Sequence, residues 1–258
     1  YNKIKIHEND IKKSKTDNEL VNPIFIIGLP RSGSTLIESI LTSCEENIIS
    51  FGECNVFNVS ILDQIGPKIY SEKFDNKKFE FIINKESLNK SILEKYSQYS
   101  DIKHVKFVDK SLENFFNIEL IRSIYPKAKF IHTYRNPMDS VISIYQSMLP
   151  ELSWTHHIED ILSYMDNYYK VLKYFKSKYP EIIMDIKLEE FTEKSELLTK
   201  KLFDFCELSW NENILNFYKR KDLYSKTLSF KQIRSRVLKY NNKKYQSYFK
   251  LLNDYKTK

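Results

Sequence analysis

The stretch that decides the fold is residues 23–36, PIFIIGLPRSGSTL. Residues 24–28 are an apolar run ending in glycine, the pattern of a strand buried on both faces of a parallel sheet. A short polar loop bounded by Gly28 and Gly33 follows. Beyond Ser34, the residues Leu36, Ile37, Ile40 and Leu41 recur at helical spacing. Strand, glycine-bounded loop and helix, in that order, gather backbone N–H groups around Gly28, Ser32, Gly33, Ser34 and Thr35 at a helix N-terminus. Such a terminus binds anions.

The two glycines keep the spacing of G-x-x-x-x-G-K-[ST], but Ser34 stands in the lysine slot. The cation has moved into the loop, to Arg31. Kinases and NTPases need the lysine on the β- and γ-phosphates, so hydrolysis of a nucleoside triphosphate is not expected.

Working outward, residues 48–50, 105–108, 130–133 and 182–186 read as further strands. Helical patterns cover residues 34–44, 55–69, 114–124, 138–149, 157–178, 196–206 and 242–255, with one more in 77–99 and a short one near 211–218. Strand alternating with helix predicts an α/β fold of the P-loop type: a doubly wound parallel sheet of about five strands flanked by helices, in a single domain. A chain of 258 residues suits one such domain. That domain is expected over 23–258. Residues 1–22, polar and rich in lysine, read as a lead-in, the tail of an upstream helical domain. The chain begins at Tyr1 rather than Met, so an upstream segment is expected. Tyr164, Tyr168, Tyr169 and Tyr174 recur at helical spacing and are expected in the core.

Hydrophobic content of 41% and aromatic content of 14% mark a globular chain. The net charge is +7. The lysines are scattered and no aromatic-basic module appears, so a small polyanion explains the charge better than nucleic acid. Cys44, Cys54 and Cys206 form no CxxC and no metal-ligand spacing. So sparse and odd a count suits a reducing compartment, and the expected location is cytoplasmic. No apolar run reaches membrane-spanning length, and no signal peptide is visible. No metal is expected.

A second anion site is legible in residues 130–147, FIHTYRNPMDSVISIYQS. Arg135 stands at the carboxyl end of a buried strand, where ligands bind in open α/β sheets. Ser143 lies two turns into the helix opened by Pro137. An ordinary strand-to-helix turn with an exposed arginine reads the same way when taken alone.

Together, PRSGSTL and the Arg135/Ser143 pair resemble the two phosphate sites of sulfotransferases that use 3′-phosphoadenosine 5′-phosphosulfate (PAPS). The resemblance is closest to the branch containing tyrosylprotein sulfotransferases and bacterial sulfotransferases linked to tetratricopeptide repeats. It runs from about residue 23 to 248, with 60–103 poorly matched. It implies that Arg31, Ser32, Gly33, Ser34 and Thr35 hold the 5′-phosphosulfate. Arg135 and Ser143 would grip the 3′-phosphate, arginine being suited by its planar fork. It further implies that Glu53, in SFGECNVF, is the general base for the acceptor hydroxyl. Lys110, in KFVDKS, would neutralise charge on the transferring sulfonate, and Arg31 would stabilise the leaving phosphate. Glu53 also fits a dipole-stabilised helix terminus, and Lys110 a pair with Asp109.

SKTLSFKQIRSRVLKYNNKKYQSY, residues 225–248, resembles the family's nucleotide-covering loop. Ser229, Gln232, Arg234 and Lys244 are its expected ligands. Leu188 stands where the family has a tyrosine near adenine, so another ring such as Tyr240 would have to serve. His156, His157 and Trp154 are candidates for the acceptor pocket, while His104 and His132 read as core residues. The implied reaction is sulfuryl transfer from PAPS to a hydroxyl on a glycan, tyrosine or small alcohol, leaving the bisphosphate PAP. The acceptor is expected to be an anionic glycan or peptide if the overall charge guides it. A non-catalytic nucleotide-binding module and, more distantly, a P-loop kinase or NTPase are the competing readings. The sequence does not set the oligomeric state.

Overall fold

The structure, a computed structural model, describes residues 4–7, 22–44, 48–71, 81–99, 106–220, 237–241 and 243–250. Its centre is a five-stranded, wholly parallel sheet built from β2 (Ile24–Gly28), β3 (Ile49–Ser50), β5 (Phe107–Asp109), β6 (Lys129–Tyr134) and β7 (Ile183–Lys187). The order is β3-β5-β2-β6-β7, which puts β2 in the middle. The remaining strands, β1 (Ile4–His7) and β4 (Phe81–Asn84), pair in parallel as a separate two-stranded sheet. Neither was expected, since β1 falls in the polar lead-in and β4 opens a segment that reads as helix.

The sheet is doubly wound because β2 is apolar on both faces. Phe25 and Ile27 point into one core cluster and Ile24 and Ile26 into the other, the alternation a strand imposes. On the first face pack α2 (Val56–Ser71), α3 (Lys85–Ser97), α4 (Ile118–Ile124), α5 (Pro137–Ser147) and α6 (Ile158–Lys178). There Phe25 stacks on Phe130 of the neighbouring strand at 5.5 Å and meets Phe57 edge-on at 5.6 Å. On the second face lie α1 (Ser34–Leu41), α7 (Leu188–Glu193) and α8 (Ser195–Phe205). Truncating a fully buried ring such as Phe25 typically costs about 3–5 kcal/mol.

Of the four tyrosines at helical spacing, Tyr168 is core, whereas Tyr169 and Tyr174 are exposed. His132 is buried as expected, its Nδ1 2.7 Å from Asp185 Oδ1 and its Nε2 2.5 Å from the Tyr168 hydroxyl. Cys44, Cys54 and Cys206 form no disulfide. Among the described residues, no helix is long and apolar enough to cross a membrane.

Candidate functional site

The carboxyl ends of all five strands face one side of the sheet, and Arg31, Lys110 and Arg135 stand just past three of them. The loop after β2 comes first. Gly33 caps α1 with φ 94° and ψ 9°. A Cβ on Gly33 would lie 2.8 Å from Leu188 Cδ1, and one on Gly28 would lie 2.4 Å from the Thr133 carbonyl oxygen. Positive φ and close approach together leave room only for glycine at both positions. Arg31 itself has φ 66°. A left-handed conformation costs a non-glycine residue roughly 1–2 kcal/mol, and such strain collects at functional sites. Ser32 Oγ lies 2.8 Å from Thr133 Oγ1, so its side chain ties the loop to β6. Ser34 and Thr35 begin α1 and are buried.

Arg135, just past the end of β6, is only 7% exposed. Its Nη2 donates to the Asp139 carbonyl at 2.8 Å and its Nη1 to the Tyr240 hydroxyl at 3.5 Å. The Tyr240 hydroxyl in turn donates to Asp139 Oδ2 at 2.6 Å. Arg135 Nε is buried and has no hydrogen-bond partner among the described residues. Burial, and then the charge of Arg135, hold Arg31 below the ordinary arginine value. Two guanidiniums from different strand ends are thus held in each other's field. The Tyr245 ring centroid is 5.7 Å from Arg135 Cζ and 4.8 Å from Lys244 Nζ. Burial would raise the Tyr245 phenol, but Lys244, Ser143 and Arg135 outweigh it and bring the phenol below the usual value. Arg31, Arg135, Ser143 and Lys244 thus all act on the Tyr245 phenol, and both Tyr240 and Tyr245 contact Arg135. Paired cations with a donor left over fit an anion carrying phosphate. Leu188 packs on Gly33. Ser229, Gln232 and Arg234 lie outside the described residues.

The third group sits at the ends of β3 and β5. Lys110 is 1% exposed, and its Nζ lies 2.6 Å from Glu53 Oε1 and 3.7 Å from Glu38 Oε2. Asp109 does not take that ammonium. Its carboxylate is buried and accepts from the Tyr96 hydroxyl at 2.5 Å, the Ser111 amide at 2.7 Å and Cys54 Sγ at 3.3 Å. With its neighbour anchored, Lys110 turns the other way, toward the loop. Gly52 O accepts from the Lys110 amide at 2.9 Å, which brings Glu53 alongside.

Glu38 went unnoticed in the sequence. It lies on the second turn of α1, and helical side chains lean toward the helix N-terminus, here toward the loop. The signal was an acid inside an otherwise apolar helical stretch. Burial raises its carboxyl above the usual range, against the pull of Lys110 and of a 2.6 Å bond from Ser50 Oγ. The resemblance places Tyr245, directly after Lys244, where the family's covering loop usually has tryptophan, but gives it no ligand role.

A cleft of about 900 Å³ joins the loop, Glu38, Glu53 and Lys110 to the segment around Trp154. Trp154 lines it, but neither His156 nor His157 does. The ring Nε2 of His156 lies 3.0 Å from the Leu149 carbonyl instead.

A glycine-bounded loop at the central strand, arginines after β2 and β6, and a lysine–carboxylate cluster on the other side of β2, at the ends of β3 and β5, make up the candidate site. The model of the sulfotransferase family matches residues 23–212, and the chain belongs to that family. An uncharacterized protein of Aquifex aeolicus (strain VF5) is 31% identical over 251 residues, covering 89% of this chain and 31% of the relative. The chain thus spans about a third of the length of that curated relative. Among solved structures, the sulfotransferase domain of the Synechococcus PCC 7002 olefin synthase aligns with TM-score 0.54 and 17% identity over 88% of each chain. The sulfotransferase domain of the curacin biosynthetic pathway gives TM-score 0.52 and 18% identity over 78% of each. Mouse sulfotransferase SULT7A1, complexed with PAP, gives TM-score 0.51 and 14% identity over 90% of this chain and 84% of that one. At such identities these structures share the fold.

Proposed function

We propose that this protein is a PAPS-dependent sulfotransferase acting on an acceptor hydroxyl. The observation that carries this reading is the glycine-bounded loop with Arg31 at the N-terminus of α1, beside the neighbouring strand β6, which is followed by the buried Arg135. Two arginines so placed at adjacent strand ends suit an anion with two phosphates. One phosphate group would sit on the loop, at the amides of residues 32–35 and Arg31. A second would sit on Arg135, whose Nε has no partner among the described residues, with Ser143 and Lys244 nearby. PAPS carries phosphates at both ends of its ribose and, when bound, supplies an activated sulfuryl group.

The chain's own residues then divide the work. Lys110 and Arg31 hold positive charge where negative charge builds on the sulfonate and the leaving oxygen. Glu53 takes the proton of the attacking hydroxyl. Its side chain is 49% exposed and so can reach an acceptor, whereas that of Glu38 is nearly enclosed. Glu53 and Lys110 must part before either acts, and Glu38 then remains as the counter-charge for Lys110. Gly52-Glu53 after the second strand of the sheet supports the branch that includes tyrosylprotein and repeat-linked bacterial sulfotransferases.

Incubation with sulfur-labelled PAPS and a panel of phenols and alcohols tests the proposal. Labelled product, formed without added metal and abolished in Lys110→Ala, is the expected result. PAP binding with no transfer to any acceptor would favour a nucleotide-binding module.

A further inference from the structure

Beyond the donor end, the same cleft has a distinct lining. Two aromatic pairs border it: Phe51 with Tyr99, centroids 5.9 Å apart, and Trp154 with Tyr164, stacked at 3.8 Å with planes 1° apart. Leu149, Pro150 and Leu152 add apolar surface. The charges on this side are negative. Glu113 and Glu151 line it together with Glu53, and Glu113 Oε1 accepts from the Tyr164 hydroxyl at 3.0 Å.

Among the described residues, the cations of the cleft are Arg31, Lys110 and Arg220. Lys110 faces two carboxylates, Arg31 stands beside Arg135 on the donor side, and Arg220 Nη1 donates to the Thr42 carbonyl. The net charge of +7 therefore does not extend, among the described residues, to the place where the hydroxyl must enter.

We infer that the acceptor is a hydroxyl carried on a flat, apolar body without negative charge, and that acidic peptides and uronic or sulfated sugars are disfavoured. This rests on the donor site proposed above. Aromatic faces reward burial of a flat carbon frame. A polyhydroxylated sugar would leave hydroxyls against them without partners. An added carboxylate would meet Glu113 and Glu151. Like charges about 10 Å apart at a protein surface repel by about 1–2 kcal/mol, or about tenfold in affinity.

The experiment titrates the PAP-loaded protein with naphthol and with hydroxynaphthoate, which share ring and hydroxyl and differ by one carboxylate. Naphthol should bind about tenfold more tightly. The double variant Glu113→Gln/Glu151→Gln should narrow that gap, chiefly by improving hydroxynaphthoate. Trp154→Ala, which removes one flat face, should weaken naphthol binding. Equal or tighter binding of hydroxynaphthoate to the native protein would overturn the inference, as would failure of naphthol to bind while PAP does. Failure of PAP itself to bind in the preceding titration would overturn the donor assignment, and this inference with it.

Discussion

Lys110 Nζ holds Glu53 Oε1 at 2.6 Å while standing 3.7 Å from Glu38 Oε2. One buried ammonium thus carries two carboxylates of unlike exposure, and only the more open one can reach an acceptor. Glu53→Gln should fold and bind PAP like the native protein, yet lose roughly 10²-fold or more in transfer rate, the usual contribution of a general base. Steady-state rates with phenols of graded acidity check this. A more acidic phenol, needing less help to lose its proton, should partly rescue the variant. Near-native turnover on every phenol would place the base elsewhere.

Lys110→Ala should fail differently. It removes the charge facing the sulfonate, so acidic phenols should not rescue it. It also leaves the enclosed Glu38 without its cation, and breaking a buried pair from one side costs about 3–5 kcal/mol. Lys110→Ala/Glu38→Gln should regain stability in urea denaturation without regaining activity. If the double variant is no more stable than the single one, the Glu38–Lys110 pair carries no such weight.

Gly28→Ala probes the loop from below. Its Cβ would meet the Thr133 carbonyl oxygen at 2.4 Å, a backbone atom that cannot swing aside. The variant should lose about 2 kcal/mol or more, as overpacked sites do, and PAP affinity should fall because the loop shifts. An unchanged urea midpoint would show that β2 and β6 separate easily.

Much of this was legible because the site is written at strand ends. An apolar run, a glycine and a polar loop declare β2 and its anion site. Arg135 is readable because Pro137 marks where the following helix begins. Other parts depend on tertiary contacts with no local trace. β1 and β4 satisfy each other in a small side sheet, and nothing in the sequence near 4–7 or 81–84 names its partner. Glu38 acquires meaning only when β5 brings Lys110 across from 72 positions away (110 − 38). Tyr245 acquires it only when the C-terminal segment folds over Arg135.

Stability should depend on pH through His132. Burial chiefly holds its imidazole below the ordinary histidine value, with Lys176 adding to the effect and Asp185 opposing it. Tyr134 stacks on the ring at 5.1 Å, and Tyr168 Oη contacts its Nε2. The unfolded chain therefore binds a proton more readily than the fold does. The contribution of neutral His132 is complete above the ordinary histidine value of about 6.5 and is lost as pH falls through it. Asp185 is held below the carboxylate range, its bonds to His132 and Lys176 outweighing burial. It therefore contributes down to more acidic pH. Urea midpoints between about pH 8 and pH 5.5 should fall for the native protein and flatten in His132→Gln. A steeper fall in the variant would contradict the assignment.

The most direct test of the donor site is calorimetric titration of the free protein with PAP, 5′-AMP, and ATP with magnesium, repeated on Arg135→Ala. The account predicts PAP binding at micromolar affinity or better, about 8 kcal/mol, without metal and well above both other nucleotides. Arg135→Ala should lose about 10- to 100-fold for PAP, the worth of hydrogen bonds to a charged group, and little for 5′-AMP, which lacks the phosphate that Arg135 would grip. Equal affinity for PAP and 5′-AMP, or native PAP affinity in Arg135→Ala, would contradict it.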